Sequence, residues 1–410
     1  MRDPYAALRY PEFRRLTAAT FLITAAILVQ EVVLGYEVYL LTRDPLALGL
    51  VGLAEAVPFI ALALFGGHLA DRRERLTLMR WSLSTIMLGS VGLAVLMNPQ
   101  LRGSLSQHTQ LAAIYGTVFL LGLARGIYSP AASSLKAFLV PRELYPNSSA
   151  WISSFWQAGA VLGPALAGFA YAHFGLHGAL EAVVAAFFAA LWLQAGIAPR
   201  GVSPPSGDDL WQSLREGLAY VYRTKAILYS ISLDMVSVFF GGVVAILPIY
   251  AEDILRVGPQ GLGVLRSAPS AGALIVMFLC AYYPPTERAW RNLLWAVLAF
   301  GVATLVFAVS RSFALSIVML FLTGAADSIS VIIRQTLLQA LPPDHLRGRV
   351  VAVNSIFVTT SNELGAFESG VAARLLGVVP SVLFGGAMTL VTVGWVWRRS
   401  RDLLTTRLLS

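Results

Sequence analysis

Several ionisable residues stand inside long apolar runs of the sequence, where a charged side chain is costly to place. Six of them are candidates for proton coupling: Glu31, Glu37, Arg125, Asp234, Asp327 and Arg334. Burial and a neighbouring arginine shift the pKa of a carboxyl group in opposite directions, so such a group can exchange a proton near neutral pH. The pattern indicates proton uptake and release. The alternative is a set of permanent ion pairs that hold helices together.

The spacing of these residues relates them in pairs. Asp327 and Arg334 are seven positions apart, so on a helix they share one face with a rise of about 10 Å. Helices that run in opposite directions would bring Asp234 and Arg334 to the same membrane depth. We therefore predict that Glu31 lies beside Arg125, and that Arg334 lies beside Asp234 or Asp327. Glu37 falls nearer the end of its run, where solvation is the alternative.

The apolar runs are long enough to position these charges within a membrane. Of the 410 residues, 57% are hydrophobic and 13% are charged, against about 25% charged residues in soluble domains. A helix needs about twenty apolar residues to cross a bilayer. Twelve runs meet this length: 16–41, 46–66, 76–97, 111–135, 149–172, 177–198, 226–250, 261–281, 292–309, 313–340, 350–373 and 378–397. The chain is predicted to be an all-α membrane protein with twelve transmembrane helices.

The basic residues predict the orientation of these helices. With the N-terminus inside, 22 lysines and arginines fall in inner segments and five in outer loops. Because inner loops are enriched in lysine and arginine, both termini are predicted to be cytoplasmic. The net charge of +8 then reflects membrane orientation, and no nucleic-acid partner is expected.

The second half of the chain repeats the first at an offset of 201–202 residues. Gly163 aligns with Gly365 and Gly168 with Gly370, and Arg125 aligns with Asp327. Repeats of this length predict two pseudo-symmetric six-helix halves, here 1–198 and 226–410. The segment 199–225 between them is predicted to be a cytoplasmic linker with an amphipathic helix. That helix would be capped by Asp208 or Asp209 and lie on the inner membrane surface, or remain solvated.

A short polar loop separates the second and third apolar runs. It carries the four residues that we single out as a gating loop, Gly67, Asp71, Arg72 and Arg75. A glycine allows close packing of a helix end, and an aspartate can interact with a neighbouring helix terminus. The arrangement resembles the signature loop of major facilitator superfamily transporters.

The resemblance extends over essentially the whole chain. The segments 35–42, 346–350 and 362–370 are similar to the transmembrane secretion effector branch of that superfamily, which includes enterobactin exporters. The fifth run also resembles the antiporter motif of proton-driven exporters, in the residues Gly159, Gly163, Pro164 and Gly168. The alternative is that small residues at this spacing form a general helix-packing surface, as they do in many membrane proteins. The loop between the eighth and ninth runs lacks the Gly-x-x-x-Asp-Arg arrangement of the gating loop.

The resemblance implies the major facilitator fold, with helices one, four, seven and ten around a central cavity. It implies proton-coupled export of small amphipathic molecules, of drug or siderophore type, by alternating access in the bacterial inner membrane. The expected partners are membrane lipid, protons and a small-molecule substrate, with the protein as a monomer. The alternatives are an importer or proton symporter, a lipid flippase, and a non-transporting scaffold or sensor.

No enzymatic constellation is predicted. The single cysteine, Cys280, lies inside an apolar run, and the five histidines lie in or beside predicted loops. The glycines around His173 and His177 disfavour the helix that a metal-binding pair would need. The sequence has no phosphate-binding Gly-x-x-x-x-Gly-Lys loop. We therefore expect no cofactor, no metal and no ATP-driven step.

Overall fold

The computed structural model of the protein describes residues 3–135, 138–199 and 210–405. For residues 63–72, 210, 211, 213, 281 and 405 it describes the backbone alone. Within the described residues the chain is helical, with no β-strand.

The first half of the chain contains six long helices. Four are continuous: α1 Pro11–Thr42, α2 Pro45–Arg72, α3 Arg75–Leu96 and α4 Gln107–Leu135. The helical stretch Tyr145–Ala195 is broken at Gly175, where the backbone has φ 66° and ψ −172°. Because a positive φ favours glycine, this residue divides the stretch into α5, 145–174, and α6, 176–195.

The second half begins with a linker helix, Leu210–Arg223, and again contains six long helices. Helix α7 spans Lys225–Gly241 and continues through short helical turns to Ile254. The others are α8 Gly258–Tyr282, α9 Ala289–Val309, α10 Phe313–Ala340, α11 Asp344–Leu376 and α12 Val378–Arg399.

These helices have the length and composition of membrane spans. In the described residues, ten helical stretches are long and apolar enough to cross a membrane, one of which contains both α5 and α6. Helix α11 falls outside that set because asparagine, serine and threonine residues lower its mean hydropathy, yet its 33 residues reach about 50 Å. The prediction of a twelve-helix, all-α membrane protein is confirmed.

The contacts divide the chain into two compact units. Unit 1 comprises Met1–Arg43, Leu53–Ser206 and Val257–Ser267; unit 2 comprises Asp44–Gly52, Gly207–Arg256 and Ala268–Ser410. Unit 1 thus includes the first part of α8, and unit 2 includes the first part of α2. The boundaries at 198 and 226 stay a prediction.

In unit 1, α1 packs along the helical stretch that contains α5 and α6, and α3 packs on α4. A buried cluster at one end of these helices includes Phe13, Leu16, Leu76, Met79 and Leu135. These large apolar side chains exclude water from the helix ends.

In unit 2, α9 packs against α10 and α12. Its core includes Trp290, Leu293, Ile333 and Leu337. The indole nitrogen of Trp290 donates a hydrogen bond to Ser400 Oγ at 2.8 Å, so the one polar atom of this buried side chain is satisfied.

The linker helix packs on the start of α11. Val221 is buried, the Tyr220 hydroxyl donates to the carbonyl oxygen of Leu341 at 2.8 Å, and Glu216 forms an ion pair with Arg349. The linker helix thus packs on α11, and its position on the inner membrane surface stays a prediction. Its proposed caps, Asp208 and Asp209, lie outside the described residues.

Candidate functional site

Unit 1 brings charged side chains of three helices together at membrane depth. Arg125 of α4 forms an ion pair with Glu55 of α2, and its Nη1 lies 3.4 Å from Glu31 Oε1 of α1. The guanidinium also lies over the ring of Phe59, 5.8 Å from the centroid. The predicted proximity of Glu31 and Arg125 is present, and Glu55 is an additional, more buried partner.

A second arginine contacts the same carboxylate. Arg266 Nη2 of α8 lies 3.3 Å from Glu31 Oε2, in the part of α8 that belongs to unit 1. The side chains of Glu31 and Arg266 are 22% and 20% exposed. We refer to Glu31, Glu55, Arg125 and Arg266 as the Glu31 network. Its two carboxylates and two guanidinium groups balance in charge.

Unit 2 contains a second, more deeply buried ion pair. Arg334 of α10 binds Asp234 of α7, and their side chains are 2% and 5% exposed. Asp327 is partly exposed, and it interacts electrostatically with both members of this pair. Among the described residues, however, it forms no ion pair of its own. The structure therefore pairs Arg334 with Asp234 and leaves Asp327 close by.

Glu37 has an environment that differs from the sequence expectation. Its side chain is 1% exposed and forms an ion pair with Arg102, from the loop before α4. The hydroxyl of Tyr171 on α5 donates to Glu37 Oε2 at 2.6 Å. The alternative of a solvated side chain is wrong, because these two donors compensate the carboxylate in a buried position.

The gating-loop residues lie at the end of α2 and the start of α3. Gly67, Asp71 and Arg72 are in the last turns of α2, and their side chains lie outside the described residues. Arg75 is 5% exposed. Its Nε donates to Ser134 Oγ at 3.0 Å, and its guanidinium lies 4.7 Å from the ring centroid of Phe138. Arg75 thus fastens α3 to α4.

The glycines of the antiporter-like motif allow close approach of neighbouring backbones. A Cβ atom on Gly159 would lie 2.9 Å from Thr24 Cβ, and one on Gly163 would lie 3.0 Å from the Ala25 carbonyl oxygen. A Cβ atom on Gly168 would lie 2.5 Å from the Pro259 carbonyl oxygen. The motif therefore packs α5 against α1 and against the start of α8. Close helix packing explains why positions 159, 163 and 168 are glycine. Pro164 lies inside α5.

The sequence interpretation did not connect several participants to these clusters. Glu55 and Arg266 are ionisable residues inside apolar runs, so the signal that selected Glu31 also applies to them. No spacing links Arg102 or Tyr171 to Glu37, because those contacts depend on how a loop and α5 fold back. Within the described chain, no group of three histidine, cysteine or acidic residues could hold a metal ion.

Comparison with known proteins agrees with this architecture. The family model described as Major Facilitator Superfamily matches residues 16–366. The chain belongs to the Major Facilitator Superfamily, and it is a multi-pass membrane transporter rather than an enzyme.

Curated relatives support the resemblance to enterobactin exporters. The chain is 25% identical over 390 residues to the "Enterobactin exporter EntS" of Salmonella choleraesuis, covering 94% of this chain and 91% of that protein. It is 23% identical over 382 residues to the protein of the same name from Escherichia coli O1:K1, covering 92% and 89%.

Solved structures show the same fold at low identity. A bacterial homologue of the iron transporter ferroportin has a TM-score of 0.73 at 16% identity, covering 96% of this chain and 99% of that one. A bacterial homologue of the lysosomal transporter Spinster has a TM-score of 0.72 at 15% identity, covering 96% and 98%.

Proposed function

We propose that this transporter exports small amphipathic molecules in exchange for protons, by alternating access of its two halves. The observation that carries this proposal is the position of Glu31 and Asp327, two partly exposed carboxylates beside arginines at membrane depth. Ionisable groups at this depth are costly and are retained where they serve a pathway or a proton relay. A carboxylate that remains accessible can gain and lose a proton as access alternates.

Export is the direction that the relatives favour, since those at 23–25% identity are named enterobactin exporters. Siderophore-type and drug-type molecules are therefore the first substrates to test. The protein would act as a monomer in the bacterial cytoplasmic membrane, in contact with lipid, protons and a small-molecule substrate. Both termini would be cytoplasmic, as the distribution of basic residues predicts.

Inside-out membrane vesicles test the direction and the coupling together. With an acidic lumen, the wild-type protein should accumulate enterobactin or ethidium, supplied as separate probes, and collapse of the pH gradient should stop accumulation. The variants Glu31→Gln and Asp327→Asn should lose uphill accumulation but keep downhill exchange. Asp344→Asn, at an exposed acid of α11, is the matched control and should behave as the wild type.

The alternatives give different results in the same vesicles. Accumulation only with an alkaline lumen would indicate an importer or symporter. Movement of a fluorescent lipid without probe transport would indicate a flippase. No movement of either, with Asp327→Asn indistinguishable from wild type, would indicate a scaffold or sensor. Any of these three outcomes contradicts the proposal.

The loop between α2 and α3 is proposed to gate the cycle, with Asp71 contacting a neighbouring helix end. Asp71→Asn should slow transport while expression and membrane insertion remain near normal. Wild-type transport rates across a range of pH would contradict this role.

A further inference from the structure

We infer that a small cavity beside a break in α7 binds a monovalent metal cation, with the Glu368 carboxylate and the hydroxyl oxygens of Ser369 and Ser381 as its ligands. The cavity lies in unit 2 and is lined by none of the proposed proton-coupling residues. Cation binding at this place can therefore be measured whatever substrate the protein transports.

Helix α7 is interrupted where the cavity lies. Gly242 has φ −73° and ψ 82°, so the α-helical segment ends at Gly241, and Val243–Ile246 form a short 3-10 helix. Two adjacent glycines weaken a helix, and Pro248 has no N–H to donate to the carbonyl group four residues earlier. The C-terminal end of a helix carries a partial negative charge, which here falls inside an apolar run of the sequence.

A cavity of about 200 Å³ adjoins this break. Phe240 and Gly242 line it from α7, Glu368 and Ser369 line it from α11, and Ser381 lines it from α12. Pockets that hold drug-sized molecules usually measure about 300–1,000 Å³. The cavity therefore suits a single ion with its nearest water molecules better than it suits an exported substrate.

Glu368 brings a negative charge to this cavity. Its side chain is partly buried, and no charged side chain of the described residues acts on it. The nearest arginine along α11, Arg374, pairs with Asp44 at 2.9 Å, and α12 carries no charged residue before Arg398. A carboxylate at membrane depth is costly without a compensating charge, and a bound cation supplies that charge.

The two serines can offer oxygen lone pairs to the same ion. Ser369 donates its hydroxyl hydrogen to the carbonyl oxygen of Gly242 at 2.9 Å, and Ser381 donates to the carbonyl oxygen of Val378 at 2.7 Å. Because a carbonyl oxygen can only accept, each hydroxyl hydrogen is already used, while each hydroxyl oxygen can still accept. The three polar side chains that line the cavity are thus all acceptors, a set that binds a cation and disfavours an anion.

The charge of the site selects a monovalent ion. One carboxylate compensates one positive charge, whereas a divalent ion would leave a net charge at membrane depth. Carboxylate and hydroxyl oxygens are ligands for hard metal cations, and interrupted helices of other transporters direct their C-terminal ends at bound Na⁺. Na⁺ and K⁺ share this chemistry. A bound ion would join the broken α7 to α11 and α12.

Thermal unfolding of the purified full-length protein in detergent tests the inference. Replacement of N-methyl-D-glucamine by Na⁺ at constant ionic strength should raise the melting temperature by about 2 °C or more along a saturating curve, because the ion binds the folded state. Equilibrium dialysis with radioactive Na⁺ should give about one ion per chain. Amide hydrogen exchange of residues 243–254 should slow several-fold when Na⁺ is present.

Variants of the ligands separate loss of the site from loss of the fold. Glu368→Gln should weaken Na⁺ binding at least about tenfold, yet it should melt no lower than wild type in sodium-free buffer, since an amide is less costly to bury than a carboxylate. Glu368→Asp should keep measurable binding, and Ser381→Ala should weaken it by up to about tenfold. Asp344→Asn, at an exposed acid of the same helix, is the control and should match wild type.

The outcomes divide clearly. Stabilisation by NaCl or by KCl that is lost in Glu368→Gln supports the inference and identifies the ion. Equal melting temperatures in all three monovalent salts would overturn it, and so would stabilisation by CaCl₂ alone. A melting temperature that depends on pH through Glu368 but on no metal ion would also overturn it, because a proton would then be the only occupant.

Discussion

Arg125 of α4 forms its ion pair with Glu55 of α2, and this pair is more buried than the contact between Arg125 and Glu31. The Glu55 side chain is 8% exposed, whereas that of Glu31 is 22% exposed. Glu31 also lies at 3.3–3.4 Å from two different arginines. The two carboxylates therefore differ in role: Glu55 fixes Arg125 in place, and Glu31 is the one that can change partner.

This difference predicts unequal effects of neutralising the two acids. Glu55→Gln removes the buried partner of a guanidinium, a change that costs about 3–5 kcal/mol when the remaining charge is buried. Since Arg125 is itself 33% exposed, we expect the lower part of that range, with clear loss of thermal stability in detergent. Glu31→Gln should cost less stability, because Glu31 is the more exposed acid and Arg125 keeps Glu55, and it should impair coupling instead. Equal melting temperatures for the two variants would contradict this assignment.

The buried pair of unit 2 predicts strong coupling between two positions. Arg334→Gln leaves Asp234 as an uncompensated buried charge, at a cost of about 3–5 kcal/mol, whereas Asp234→Asn leaves Asp327 near Arg334 and should cost less. The double variant removes both charges, so it should be more stable than the sum of the single effects by at least about 1 kcal/mol. Thermal unfolding of the four proteins, followed by intrinsic tryptophan fluorescence, measures this coupling. Additive losses would show that the two side chains do not stabilise each other.

The sequence predicts much of this architecture because membrane helices have a strong signal. Runs of about twenty apolar residues specify the twelve spans, and charges within them point to Glu31, Arg125, Asp234 and Arg334. The pairing of Asp234 with Arg334 follows from opposite helix directions. By contrast, the contact of Arg266 with Glu31 could not be predicted, because it depends on how the first turns of α8 pack into unit 1. The docking of the linker helix was also missed, since it depends on apolar contacts of Val221 and on single polar contacts to Arg349 and to the Leu341 carbonyl oxygen.

The helix crossing at Gly168 predicts steric sensitivity in α5. A Cβ atom there would lie 2.5 Å from the Pro259 carbonyl oxygen and 3.0 Å from Gly263 Cα, so Gly168→Ala should force the helices apart. Overpacking of this kind costs about 1–3 kcal/mol, which should appear as lower thermal stability. Gly116→Ala on α4 is the matched control, because no atom lies within 4 Å of its Cβ position. If both variants melt at the same temperature, the close approach at Gly168 is not important for stability.

The ion pair between Glu216 and Arg349 predicts that charge reversal releases the linker helix from α11. The pair is 38% and 28% exposed, so its contribution is about 1 kcal/mol or less, supplemented by the Tyr220 hydrogen bond. Glu216→Arg should increase amide hydrogen exchange across the linker helix several-fold, with little effect on α9 and α10. Combining it with Arg349→Glu should restore the wild-type exchange rate, because the opposite charges face each other again. Arg347→Glu is the control. Arg347 lies two positions before Arg349 but pairs with Asp344, so this variant should leave the linker helix protected. Failure of the charge swap to restore protection would mean that the apolar contacts of Val221, rather than the ion pair, hold the helix in place.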